Sequence, residues 1–176
     1  MINRIIPEGV LEEDKITLEL TDEANQLYEK NRFGNIERKK LHLSLLEALY
    51  LVEGEKLIVK KGKKEVPPNQ ISRLARKKDK RFNIRYSVFK DLRDRGYVTK
   101  TALKFGADFR VYDRGVSPGE DHAKWIVFAV KESEHLTWRE WSAKNRVANS
   151  TKKRLLIAVV DDEESVSYWE SRWIRP

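Results

Sequence analysis

The chain has 176 residues, 40% hydrophobic and 36% charged, with a formal charge of +8, a pI near 9.6 and no cysteine. That length holds one domain or two small ones, the cysteine count excludes disulfides and thiolate metal sites, and the longest apolar runs, such as IVFAV at 126–130, are too short to cross a bilayer. The basic balance favours a polyanionic partner, nucleic acid first, with a lysine-rich solvated surface as the plain alternative.

The opening MINRIIPEGVLEEDK has no apolar h-region, so no secretory signal is expected and a cytoplasmic protein is the default. Charged residues exceed the average of about 25%. With one Met and no Cys, that composition suits a protein that works hot, where ion-pair networks gain value.

The predicted elements begin with KITLEL (15–20), which alternates like a strand. RKKLHLSLLEALYLV (38–52) places Leu41, Leu45, Leu46 and Leu49 at helical spacing, with Gly54 as the stop. KLIVKK (56–61) reads as a strand, and VPPNQISRLARKKDK (66–80) as a basic helix opened by prolines. RYSVFKDLRDRG (85–96) is an amphipathic helix with Tyr86, Phe89 and Leu92 on one stripe and Gly96 after its last turn.

LKFGADFRVY (103–112) alternates, with Leu103, Phe105, Ala107, Phe109 and Val111 on one face and Lys104, Asp108, Arg110 and Tyr112 on the other. AKWIVFAV (123–130) and RLLIAVV (154–160) read as buried strands. Between them, TWREWSAKNRVANS (137–150) starts with Thr137 and Glu140 at capping-box spacing, so it is a helix. DDEE (161–164) is an acidic turn, and SVSYWESRWI (165–174) a last strand, antiparallel because the connection is short. The sum is an α/β (α+β) chain. A small mixed α/β N-terminal domain over 1–82 is expected to pack on a C-terminal domain over 83–176, whose central mixed sheet is flanked by helices.

Several chemistries drop out on motif grounds. The three histidines, His42, His122 and His135, make no His-x-x-x-His, and the lone Glu-x-Lys, at 13–15, lacks an Asp before it in a core strand. No phosphate-cradling glycine motif and no Gly-x-Ser-x-Gly elbow occurs. The turn Asp161, Asp162, Glu163, Glu164 offers a cation site, a solvated turn or a protein-contact loop. No cofactor is called for.

Acid–base chemistry without a metal remains. Tyr112 ends one strand, His122 opens the next, and Lys153 precedes a third. If those strands are neighbours, the trio converges on one end of the sheet. RNA cleavage by the ribose 2′-OH needs a base for that hydroxyl, an acid for the leaving 5′-oxygen and a cation for the phosphorane. Histidine is a competent acid and lysine a point charge for phosphate. Tyrosine, with a free pKa of about 10, is an awkward base and needs cationic neighbours such as Arg110, Arg114 and Lys153. Each of the three also reads as an ordinary strand-end aromatic, loop histidine or surface lysine.

At these residues a resemblance enters. LKFGADFRVYDRG, DHAKW and RVANSTKKRLLIAVVD resemble the catalytic domain of the archaeal tRNA-splicing endonucleases. LHLSLLEALYLV and FKDLRDRGYVTKT resemble the family's N-terminal half, so the likeness spans nearly the whole chain in order. It implies a metal-independent endoribonuclease without cofactor. Such an enzyme excises introns from precursor tRNA at bulge–helix–bulge folds and leaves 2′,3′-cyclic phosphate and 5′-hydroxyl ends. By similarity Tyr112 is the general base, His122 the general acid and Lys153 the transition-state cation.

The resemblance further implies arginines that clamp a bulged base. Arg146 matches the first, and Arg172 or Arg175 the second. The acidic residues Asp161, Asp162, Glu163 and Glu164 match a loop that docks into a basic cleft of another subunit. Where the family often has histidine this chain has Asn149, outside the trio. A single-repeat chain of this size implies a homotetramer, or two copies with two copies of a structural subunit. A non-catalytic RNA-binding subunit of the same assembly is the runner-up, and a metal-dependent DNA nuclease a third reading.

Overall fold

The structure is a computed structural model that describes residues 5–116, 119 and 122–176. The chain divides into two compact units, Met1–Phe82 and Asn83–Pro176.

The first unit is a six-stranded sheet with three helices. Its elements are β1 (Glu8–Leu11), β2 (Lys15–Glu19), α1 (Asp22–Glu29), β3 (Asn35–Glu37), β4 (Lys40–Ser44), α2 (Leu45–Glu53), β5 (Ile58–Lys61), β6 (Lys64–Glu65) and α3 (Pro68–Lys78). Strand order is β3-β4-β2-β1-β5-β6. β1 and β5 run parallel, and the other pairs antiparallel.

The helix predicted over 38–52 is corrected here. Residues 40–44 form β4 against β2, and α2 starts only at Leu45. Leu41 and Leu43 alternate into the core at 0% and 1% exposure, a two-residue period that the leucine spacing masked. Ser44 then caps α2. Its Oγ accepts from the Glu47 N–H at 3.2 Å, and Glu47 Oε2 accepts from the Ser44 N–H at 3.0 Å. Glu47 is buried, and its Oε1 also accepts from the Gly34 N–H at 2.9 Å. α3 begins with Pro68, whose missing N–H costs nothing there. It buries Ile71 and Ala75, and ends in Arg76, Lys77 and Lys78, which suit the negative end of the helix dipole.

The second unit holds α4 (Phe82–Asp94), β7 (Val98–Thr101), β8 (Phe109–Tyr112), β9 (Trp125–Lys131), α5 (Trp138–Ser150), β10 (Arg154–Val160) and β11 (Val166–Ser171). Its sheet has the order β11-β10-β9-β8-β7. The central pair β9–β10 is parallel and the other pairs are antiparallel, so the sheet is mixed. β9 and β10 are buried on both faces, which explains their unbroken apolar sequences. Ile126, Phe128, Leu155 and Ile157 on one face join Ala148 of α5 in a single core cluster. On the other face Phe89 of α4 meets the ring of Phe109 at 6.0 Å, and the Tyr168 hydroxyl donates to Asp91 Oδ2 at 2.7 Å.

Two strands are shorter than their alternation predicts. Residues 103–105 form a single 3-10 turn, closed by Gly106 at φ +68°, and β8 starts only at Phe109. A left-handed residue breaks extension, which glycine does at no steric cost. Asp108 then anchors the strand start. Its Oδ2 accepts from the Ala129 N–H at 2.8 Å, and its Oδ1 lies 3.2 Å from Arg85 Nε. The last strand ends at Ser171 rather than 174. Among the described residues no helix is long and apolar enough to cross a membrane.

Candidate active site

Tyr112 closes β8, and its ring is buried at 5% exposure. The ladder from β8 to β9 pairs Val111 with Trp125, and the Lys124 N–H donates to the Val111 carbonyl at 2.8 Å. The parallel ladder from β9 to β10 pairs Trp125 with Arg154, and the Arg154 N–H donates to the Lys124 carbonyl at 3.0 Å. One residue beyond these pairs, Tyr112, Lys124 and Lys153 stand in one row at one end of the sheet. Strands lie about 4.8 Å apart, so the row spans roughly 10 Å of backbone from Tyr112 to Lys153.

The turn from α5 into β10 sets Lys153. Lys152 sits at φ +55°, and the Lys153 N–H donates to the Ala148 carbonyl at 2.8 Å. The half-buried Lys153 ammonium donates to the Thr151 carbonyl at 2.8 Å. His122 is exposed and lies two residues before Lys124, at the same end of the sheet. The spacer GVSPGED, read from the sequence as lying between acid and base, includes residues 117, 118, 120 and 121, which fall outside the described residues.

Arg146 and Arg172 line one cavity of about 550 Å³ together with Trp141, Asn145, Asn149 and Trp173; Arg175 is not among its lining residues. A smaller cavity, of about 190 Å³, shares Asn145, Asn149, Arg172 and Trp173 and reaches Lys153. Asn149, where the resembled family often has histidine, lines both cavities. Ser171 Oγ donates to Asn145 Oδ1 at 2.9 Å, tying the end of β11 to α5. Arg172 Nε lies 2.7 Å from Glu170 Oε1. The Trp125 indole N–H, with Arg172 beside it, holds the Glu170 carboxyl below the usual carboxylate range.

The acidic turn is ordered by its first residue. Asp161 Oδ1 accepts the backbone N–H groups of Glu163 and Ser165, at 2.9 and 2.8 Å. Asp162, Glu163 and Glu164 are left exposed. An aspartate that folds its own turn in this way was legible as a turn former. Sequence reading assigned all four carboxylates one role and missed this division. It also passed over Lys124, whose place in the row follows from strand register. Large apolar side chains are also exposed: Trp138 at 85%, Trp169 at 66% and Trp173 at 62%.

Comparison with known proteins identifies the family. The family described as tRNA intron endonuclease, catalytic C-terminal domain, matches residues 82–168, and the one described as tRNA intron endonuclease, N-terminal domain, matches residues 7–71. A protein named tRNA-splicing endonuclease from Thermococcus onnurineus is 42% identical over 162 residues, covering 92% of this chain and 93% of its own. One of the same name from Thermococcus kodakarensis is 44% identical over 86% of this chain and 88% of its own. Another, from Methanothermobacter thermautotrophicus, is 38% identical over 96% of this chain and 98% of its own. With both halves matched in order and identities near 40% over most of its length, the chain belongs to the tRNA intron endonuclease family.

Proposed function

We propose that this chain is a cytoplasmic RNA endonuclease that removes introns from precursor tRNA, cutting at bulge–helix–bulge folds without a metal ion. The row of Tyr112 and Lys153 on the two strands that flank β9, with His122 at the same end, carries the reading. Tyr112, as general base, takes the proton of the ribose 2′-OH. The freed 2′-oxygen attacks the adjacent phosphorus. His122, as imidazolium, gives its proton to the departing 5′-oxygen. Lys153 meets the charge that builds on the phosphorane oxygens. One proton enters at Tyr112 and one leaves from His122, so the products are a 2′,3′-cyclic phosphate and a 5′-hydroxyl.

Arg146 and Arg172, facing one cavity, suit the clamp on a bulged base, since guanidinium planes stack on nucleobases. That shared cavity favours Arg172 over Arg175. The exposed carboxylates of the 161–164 turn suit docking into a basic surface of another copy. The exposed Trp169 of β11 and Trp173 just after it suit further self-association. Both support a tetramer, in which two cleavage centres are held at a fixed spacing for the two splice sites.

The test is cleavage of a labelled bulge–helix–bulge RNA in EDTA, with the ends analysed. Cleavage with cyclic phosphate and 5′-hydroxyl ends is expected. A requirement for Mg²⁺, or 3′-hydroxyl ends, overturns the reading.

A further inference from the structure

Directly beyond Tyr112 lies a closed circuit of contacts that the cleavage chemistry above does not use. Asp113 Oδ2 is 2.8 Å from Lys124 Nζ. Lys124 Nζ stands 4.3 Å from the centre of the Trp125 ring. Trp125 meets Tyr97 edge to face, with centroids 5.7 Å apart. The Arg114 guanidinium lies 5.0 Å over the Tyr97 ring. The Arg114 N–H donates to Asp113 Oδ1 at 3.1 Å and closes the circuit. The Lys124 ammonium and this N–H hold the Asp113 carboxyl below its ordinary range, so the neighbouring carboxylate is already engaged.

Arg114 is exposed. An exposed guanidinium 5.0 Å from an aromatic ring centre can offer a plane for stacking as well as a charge. A simple phosphate contact needs only a charge on a flexible stem. A purely structural aromatic pair needs no exposed guanidinium on top of it. The circuit lies at the same end of the sheet as the cleavage row and touches it through Lys124, while Trp125 alternates to the opposite face.

We propose that Arg114, carried on the Tyr97–Trp125 pair, is a stacking platform for an unpaired RNA base close to the scissile phosphate. The proposal rests on the RNA-cleavage reading above and adds a base-binding surface to it. Unpaired RNA bases are commonly held on aromatic and guanidinium planes, with little dependence on base identity.

The experiment measures equilibrium binding of bulge–helix–bulge RNAs in which each bulged nucleotide in turn is abasic. The binding chain carries His122→Ala to prevent cleavage, alone or with Arg114→Ala or Arg114→Lys. One abasic position should weaken binding roughly 5- to 150-fold when Arg114 is present, the range of single stacking contacts, and should cost nothing further in Arg114→Ala. Arg114→Lys, which keeps charge and loses the plane, should behave like Arg114→Ala. Full additivity at every position overturns the platform, and so does wild-type coupling in Arg114→Lys. The chain with His122 and Arg114 intact is run on natural RNA in EDTA alongside. No cleavage there sinks the endonuclease reading, whereas cleavage with additive abasic penalties sinks the platform alone.

Discussion

Lys153→Met keeps the length and the apolar stem of the side chain and removes its charge. Lys153 is half-buried, its ammonium already donates to the Thr151 carbonyl at 2.8 Å, and its backbone is pinned to Ala148. The ammonium is thus held, and a phosphorane oxygen accepting from it would sit within about 3–4 Å. At an effective dielectric near 20 that pair is worth about 4 kcal/mol. Solvent at a half-buried site reduces this to roughly 2–3 kcal/mol. At 1.36 kcal/mol per decade the loss is about 30- to 150-fold in kcat. The assay is single-turnover cleavage of labelled RNA at saturating enzyme, which removes substrate binding from the rate. Lys153→Arg should fall within about tenfold of wild type, since the charge is retained. A Lys153→Met rate within threefold of wild type would refute the reasoning, as would a loss confined to KM.

Four further outcomes are expected. His122→Ala should lose most cleavage while gel-shift affinity for the RNA persists; a near-normal rate removes His122 from the mechanism. Replacing Asp161, Asp162, Glu163 and Glu164 by Ser should lower the oligomer mass in light scattering, and an unchanged tetramer refutes the docking role. Glu47→Ala strips the acceptor from the Gly34 N–H, the Ser44 N–H and the Ser44 hydroxyl. It should cost about 3 kcal/mol, a fall in melting midpoint of roughly 6–12 °C; a shift below about 2 °C contradicts the capping argument. Burial, together with the hydrogen bond to Asp91, pushes the Tyr168 phenol up from its ordinary value. The unfolded phenol ionises near pH 10 while the folded one keeps its proton, so stability should fall as pH rises through about 10. Tyr168→Phe should flatten that limb in thermal unfolding series; an unchanged pH slope contradicts it.

Much of the fold was legible in the chain. Capping chemistry is local, so the Thr137–Glu140 spacing marked the start of α5. Unbroken apolar runs marked β9 and β10, because a strand covered on both faces has no polar parity to show. Where two periods competed, the reading failed. Leu41, Leu45 and Leu49 fit a helix, yet Leu41 and Leu43 belong to a strand, and the box at Ser44 and Glu47 was passed over. The strand read over 103–112 ignored a glycine that takes φ +68°. Short β1, β3, β6 and β7 left no signal, since two to four residues carry too few alternations to count.

The residues of the candidate site were legible as types and as a resemblance: a tyrosine at a strand end, a histidine after a loop, a lysine before a buried strand. Their chemistry is written in the side chains themselves, so the sequence alone determined which acid, base and cation are on offer. Their common row was not written there. Tyr112 and Lys153 are 41 positions apart, and they align only because β9 pairs antiparallel with β8 and parallel with β10 at one register. A slip of one residue in either ladder would turn one of the two side chains to the opposite face of the sheet. That register, the cavity shared by Arg146 and Arg172, and the circuit that carries Arg114 are set by strand pairing and packing across the chain, which only the tertiary structure decided.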